Sequence, residues 1–100
     1  MHARVTTIQM DPARLDEAIA QVEEEDLPTW KSLDGFKGYT LLLDRSSGKV
    51  IGTSYWATQE QMQNSEDAVA ESRQRAADTG GAEQPPQVER FEVALDTYVK

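Results

Sequence analysis

The sequence predicts an α+β domain in which two helices cover one face of a four-stranded antiparallel sheet, in the chain order β-α-β-β-α-β. Three observations carry this expectation. Asp34 to Trp56, DGFKGYTLLLDRSSGKVIGTSYW, holds two apolar runs joined by a short turn-rich stretch, the signature of a β-hairpin. A helical repeat of apolar residues flanks the hairpin on each side. A short β-branched or alternating segment lies near each end of the chain.

The elements follow in order. Ala3 to Gln9 (ARVTTIQ) is short and rich in β-branched residues, which predicts a first strand. Asp11-Pro12 supplies an N-cap and a proline at the first helical position. Leu15, Ala18, Ile19 and Val22 then recur at helical spacing. Pro28 is expected to end or bend this helix near Leu27, and a further turn to Leu33 brings Trp30 and Leu33 to the core. Asp34-Gly35 marks a turn into a second strand, Phe36 to Asp44. Its unbroken leucines at 41, 42 and 43 suggest a strand covered on both faces. Asp44 to Gly48 is a tight turn, so a third strand, Lys49 to Ala57, pairs antiparallel with the second. Gly52 within it marks a bulge or a close backbone approach.

Thr58-Gln59-Glu60-Gln61 is a capping-box pattern that opens a second helix, running to about Asp78 and stopped by Gly80-Gly81. Gly80 to Gln87 is a loop. Val88 to Thr97 alternates as a last strand, with Phe91, Val93 and Leu95 on one face and Arg90, Glu92 and Asp96 on the other. This order is the ferredoxin-like plait, a single domain over residues 1–100. Apolar residues at both parities of the central strands call for cover on the second sheet face. A partner subunit is the simplest cover and predicts a symmetric homodimer.

Composition excludes several chemistries. There is no cysteine, hence no disulfide, thiol nucleophile or thiolate metal site. His2 is the only histidine and sits at a terminus, so neither a catalytic imidazole nor a multi-histidine metal site is expected. The net charge of -8 comes from 18 acids against 10 bases with no basic patch, which argues against nucleic acid as a partner. No apolar run reaches the roughly 18 residues of a membrane span, and MHARVTTIQM lacks the apolar core of a signal peptide. No membrane association and a cytoplasmic location are therefore expected.

The Asp11-Pro12 helix start, the Pro28…Asp34-Gly35-Phe36 turn, the Asp44…Gly48 hairpin and the Tyr55-Trp56-Ala57-Thr58 strand exit stand in a familiar order. In these features the chain resembles the antibiotic-biosynthesis-monooxygenase-like (ABM-type) domain of the dimeric α+β barrel superfamily. The resemblance implies a homodimer whose two sheets close into a barrel, with a small-molecule cleft between sheet and helices in each subunit. The family mixes cofactor-free oxygenases, haem-degrading enzymes and members without known activity. Its haem-degrading branch binds iron through a histidine on the second helix, and Gln59 to Asp78 contains none. Its quinone-forming branch, similar to this chain at Trp56 and Asn64, uses no metal, because an electron-rich phenolic substrate itself reacts with oxygen. The resemblance therefore implies no cofactor.

Two functions stay open. One is a cofactor-independent monooxygenase acting on a small aromatic or polyketide-like compound. The other is a non-catalytic dimeric ligand-binding or structural protein of the same fold. No acid-base pair stands at a recognisable spacing, so no catalytic residue is assigned. Six side chains are candidates for the pocket. Trp56 either stacks on a flat ligand at the cleft mouth or anchors the second helix. Tyr39 and Tyr55, on facing strands, either offer a phenol to the ligand or pack across the hairpin. Trp30 closes one end of the cleft or fills the core. The second helix carries few large apolar residues, so Asn64 and Arg73, with Ser65 and Ser72, line a gap beneath it or are solvated. The acid run Glu23 to Asp26 reads as a solvated face, because consecutive helical carboxylates do not converge. Arg4 and Arg90 are expected on outer strands, either steering an anionic ligand or pairing with the many acids.

Overall fold

The computed structural model describes residues 1–97. Strands β1 (His2–Gln9), β2 (Phe36–Asp44), β3 (Lys49–Trp56) and β4 (Gln87–Glu92) form one antiparallel sheet in the order β2-β3-β1-β4. Helices α1 (Leu15–Gln21), α2 (Leu27–Lys31), α3 (Gln59–Asn64) and α4 (Glu66–Thr79) pack on one sheet face. This is the ferredoxin-like plait expected from the element order. Ile8 and Val50 from the strands meet Leu15, Trp30 and Val69 from the helices in the core between the layers.

Local chemistry sets the element ends. Asp11 caps the first helical turn, its Oδ1 accepting from the Ala13 N–H at 2.9 Å. Thr58 caps α3 through a 3.0 Å bond from the Gln61 N–H to its hydroxyl. In the hairpin, Asp44 accepts from the Ser46 N–H and hydroxyl, and Gly48 takes a φ of 82°, a left-handed conformation natural to glycine.

Of the two outcomes expected at Pro28, an end or a bend, the helix does not end: it runs on to Lys31 through a single π turn at Val22–Asp26, and α2 supplies the further turn that carries Trp30 into the core. Pro28 has no N–H to give and its ring crowds the preceding turn. The wider turn, in which the Leu27 N–H reaches the Val22 carbonyl, absorbs the proline without ending the helix. The second helical region is not continuous either. It breaks at Ser65, between α3 and α4.

The last strand is shorter than Val88 to Thr97. It ends at Glu92, and the Val93 N–H turns to the Met1 carbonyl. Its register pairs Arg90 with Arg4 and Phe91 with Ala3. Arg90 therefore shares the helix-covered face and Phe91 the opposite one, where it is 50% exposed. Leu42 is also on that open face, 60% exposed, while Leu41 and Leu43 point to the helices. The triple leucine is thus covered on one side only within a single chain.

One irregularity aims a candidate residue of the site. Phe36 pairs with Trp56, but Gly38 pairs with Tyr55, so β2 carries one extra residue at Lys37. A bulge of this kind flips the side-chain parity beyond it. Tyr39 pairs with Ser54 and faces the helices, whereas an unbroken register would turn it outward.

Candidate functional site

A cavity of about 50 Å³ lies between the sheet and the helices. Ile8, Leu15, Val22 and Val50 make most of its wall apolar, and Arg4, Asp26, Tyr39 and Ser72 bring polar groups to it. The small inner face of α4, namely Val69, Ser72 and Ala76, leaves this space.

Arg4 is the central feature. It lies on a central strand rather than an outer one, and its side chain is 1% exposed. Strand alternation places it with Thr6 and Ile8 on the helix-covered face. Its Nη2 donates to the Met62 carbonyl at 2.6 Å and to Ser65 Oγ at 3.2 Å, and meets Glu66 at 3.0 Å. Ser65 Oγ also donates to the Met62 carbonyl at 2.6 Å, so the break between α3 and α4 is tied to the inserted guanidinium. Glu66 is shared further with Arg73 at 3.0 Å and Arg90 at 3.3 Å. Three guanidiniums therefore surround one carboxylate. Arg4 Nε and Nη1 and Arg73 Nε are buried without a partner. Burial, with Arg73 and Arg90 nearby, brings the Arg4 pKa down to about 10 against the pull of Glu66, which leaves it charged at neutral pH.

Asp26 stands at another part of the wall, fully buried. Its Oδ1 accepts from Arg75 at 2.7 Å, and its Oδ2 has no partner. The acid run therefore splits. Glu23, Glu24 and Glu25 are exposed, while Asp26, last residue of the π turn, is inside. The extra residue of the π turn rotates the following helix relative to an α-helical register.

Tyr39 packs against Trp30, with ring centroids 4.9 Å apart. Its hydroxyl lies over the Cα of Gly52, in the space a Cβ would fill. Gly52 therefore serves the close approach and not a bulge. Burial, with the nearby Asp26 carboxylate, pushes the Tyr39 phenol up to about 12. It is a hydrogen-bond donor at neutral pH, not a base. Trp30 Nε1 donates to Ser72 Oγ at 3.3 Å, joining α2 to α4.

Tyr39, Trp30 and Arg73 thus meet at the cavity. Trp56 does not line it. Trp56 is fully buried, with Nε1 donating to Ser54 Oγ at 2.9 Å, Phe36 packed edge-on at 5.4 Å and the Arg4 guanidinium over its ring at 5.8 Å. Tyr55 is on the opposite sheet face, because its β3 parity differs from that of Ser54 and Trp56. Asn64 is exposed on a surface hollow with Asp34, Thr58 and Gln61, since it ends α3 on the outer side of the break. Sequence reasoning missed Arg4 and Asp26 as cavity residues. The parity shared by Arg4 and Ile8 was a signal for the first. The local sequence carried none for the second. Among the described residues no three His, Asp or Glu side chains gather as a metal site, and no helix is long and apolar enough to cross a membrane.

No family model matches the sequence. The chain is 40% identical over 94 residues to the uncharacterized protein Rv2557 of Mycobacterium tuberculosis strain H37Rv, a match covering 94% of this chain and 41% of that protein. The chain therefore spans about two-fifths of the length of the curated relatives it matches. Its structure is similar, at a TM-score of 0.80 and 16% identity, to a monooxygenase from the gene ActVA-Orf6 of Streptomyces coelicolor in complex with nanaomycin D, over 99% of this chain and 92% of that one. It is also similar, at a TM-score of 0.76 and 19% identity, to the haem degrader MhuD of Mycobacterium tuberculosis with two haems bound, over 98% and 100% of the two chains. The chain therefore shares the fold of these two proteins over nearly its whole length.

Proposed function

We propose that the domain binds a small aromatic or polyketide-like compound in the sheet–helix cavity and oxidises it with dioxygen, without a cofactor. One observation carries this reading: a buried, mostly apolar cavity to which Tyr39, Trp30, Arg4 and Asp26 bring polar and aromatic groups. The reaction inserts one oxygen atom of O₂ at an activated methylene and releases the other as water: R₂CH₂ + O₂ → R₂C=O + H₂O. The substrate supplies all four electrons. The chain's part is to hold the ring against Trp30, to donate from the protonated Tyr39 to a ligand oxygen, and to exclude water from the reactive anion. A single aromatic ring needs a cavity of roughly 150 Å³. The present 50 Å³ must therefore widen, and the segment interrupted by the π turn is the natural part to give.

A non-catalytic ligand-binding role is the second reading. It is favoured by Trp56 and Asn64, both of which lie outside the cavity lining. Oxygen uptake with a panel of anthrone-like phenols separates the two. Uptake that falls in Tyr39→Phe supports the oxygenase, whereas ligand-induced thermal protection without uptake supports binding alone.

The domain also acts as a homodimer in this reading. Val5, Ile51, Tyr55, Leu42 and Phe91 share the sheet face that the helices leave open, an apolar patch of the kind that marks an interface. Light scattering at micromolar concentration is expected to give the dimer mass, and a monomer refutes it.

A further inference from the structure

The geometry points to an anion subsite within this cavity, formed by Arg4 with Arg73 beside it, that takes the carboxylate of a hydroxylated, otherwise apolar monocarboxylic acid. The inference rests on the reading of the cavity as a ligand site and names the ligand class.

Arg4 is 1% exposed and lines the cavity, yet among the described residues only its Nη2 finds partners. Its Nε and Nη1 donors are buried without partners, as is Arg73 Nε. Buried polar groups are almost always satisfied, and a charged donor is the costliest to leave unmet. A bound carboxylate supplies the missing acceptors. Charge balance asks for the same thing. Among the described residues Arg4, Arg73 and Arg90 converge on Glu66 alone, so a second anion is welcomed. The apolar remainder of the wall, Ile8, Leu15, Val22 and Val50, keeps water from diluting that attraction and selects an apolar ligand body. Asp26 sets the limit on ligand charge. Its Oδ2 is buried, unpartnered and on the same cavity, so it repels a second anionic group and accepts from a hydroxyl.

The test compares ligands on the unmodified protein, which avoids dependence on any variant's folding. Calorimetric titration with benzoate, methyl benzoate and acetate at neutral pH separates charge from ring. Benzoate is expected to bind about tenfold or more tightly than its ester, the scale of charge-assisted hydrogen bonds. Equal binding of acid and ester overturns the anion subsite while leaving the aromatic-ligand reading intact. Binding of acetate and benzoate alike, with none of the ester, keeps the subsite and removes the aromatic reading. No binding of either carboxylate overturns the subsite. Arg4→Met, if folded, is expected to erase the preference for acid over ester, and a retained preference also overturns the assignment.

Discussion

Glu66 pairs with three arginines at once, so Glu66→Gln is the most informative single change. The substitution keeps the side-chain shape and removes the one carboxylate that, among the described residues, pairs with Arg4, Arg73 and Arg90. Arg4 has no access to water and retains only the Met62 carbonyl and Ser65 hydroxyl as neutral partners. Two like charges remain close by. Removing one partner of a fully buried ion pair costs about 3–5 kcal/mol. Glu66 is 31% exposed and Arg90 is 44% exposed, so water screens part of the loss. About 2–3 kcal/mol is the expected destabilisation after that discount. For a domain of this size the corresponding fall in Tm is about 10–20 °C.

Urea denaturation followed by circular dichroism measures the change, with calorimetry as a check. The double variant Arg4→Met/Glu66→Gln is expected to recover much of the loss, because it removes the uncompensated buried charge. The pH dependence gives a second readout. Burial alone would raise the Glu66 carboxyl, but the bonds from Arg73 and the fields of Arg4 and Arg90 hold it below 4.5. Its contribution is therefore complete above 4.5 and fades as pH falls through the lower folded value. The gap between parent and Glu66→Gln should narrow in the same acidic window. A Glu66→Gln protein within about 0.5 kcal/mol of the parent, the size of an ordinary surface substitution, would refute the reasoning.

Gly52→Ala places a methyl group where the Tyr39 hydroxyl sits, forcing the ring off Trp30. A loss of about 1–3 kcal/mol is expected from this overpacking, and an unchanged urea midpoint would show that Tyr39 does not lie against Gly52. Alkaline ultraviolet titration should resolve one tyrosine ionising near 12, and Tyr39→Phe should remove that transition. Because the folded value lies above the unfolded one, the Tyr39 contribution to stability is complete below 10 and is lost as pH rises toward 12. A single common transition near the ordinary tyrosine value would contradict the buried placement.

Local chemistry made much of the fold legible. Asp11-Pro12, the Thr58 N-cap, the Asp44 to Gly48 turn and Gly80-Gly81 act within a few residues of themselves and do in the structure what their spacing implies, although the Gln61 side chain does not complete the capping box. The small inner face of the second helical region, with Ser72 and Arg73 on it, was visible in the same way and does line a cavity. Gly52 announced a close approach without naming what approaches.

The sequence by itself therefore determined the element order, the ends of most elements, the sheet topology that follows from that order, and the presence of space under α4. Tertiary structure alone decided which side chains enter that space. Tyr39 faces inward and Tyr55 outward because one extra residue at Lys37 flips the parity of β2, a property of strand pairing and not of either tyrosine. Asp26 is buried because a π turn accommodates Pro28 and rotates the chain before it. Arg4 is tolerated in the core because Met62, Ser65 and Glu66, about sixty residues away in the chain, arrive at its guanidinium. Caps and turns are decided by neighbours in sequence. A buried charge is decided by partners that only the folded chain brings together.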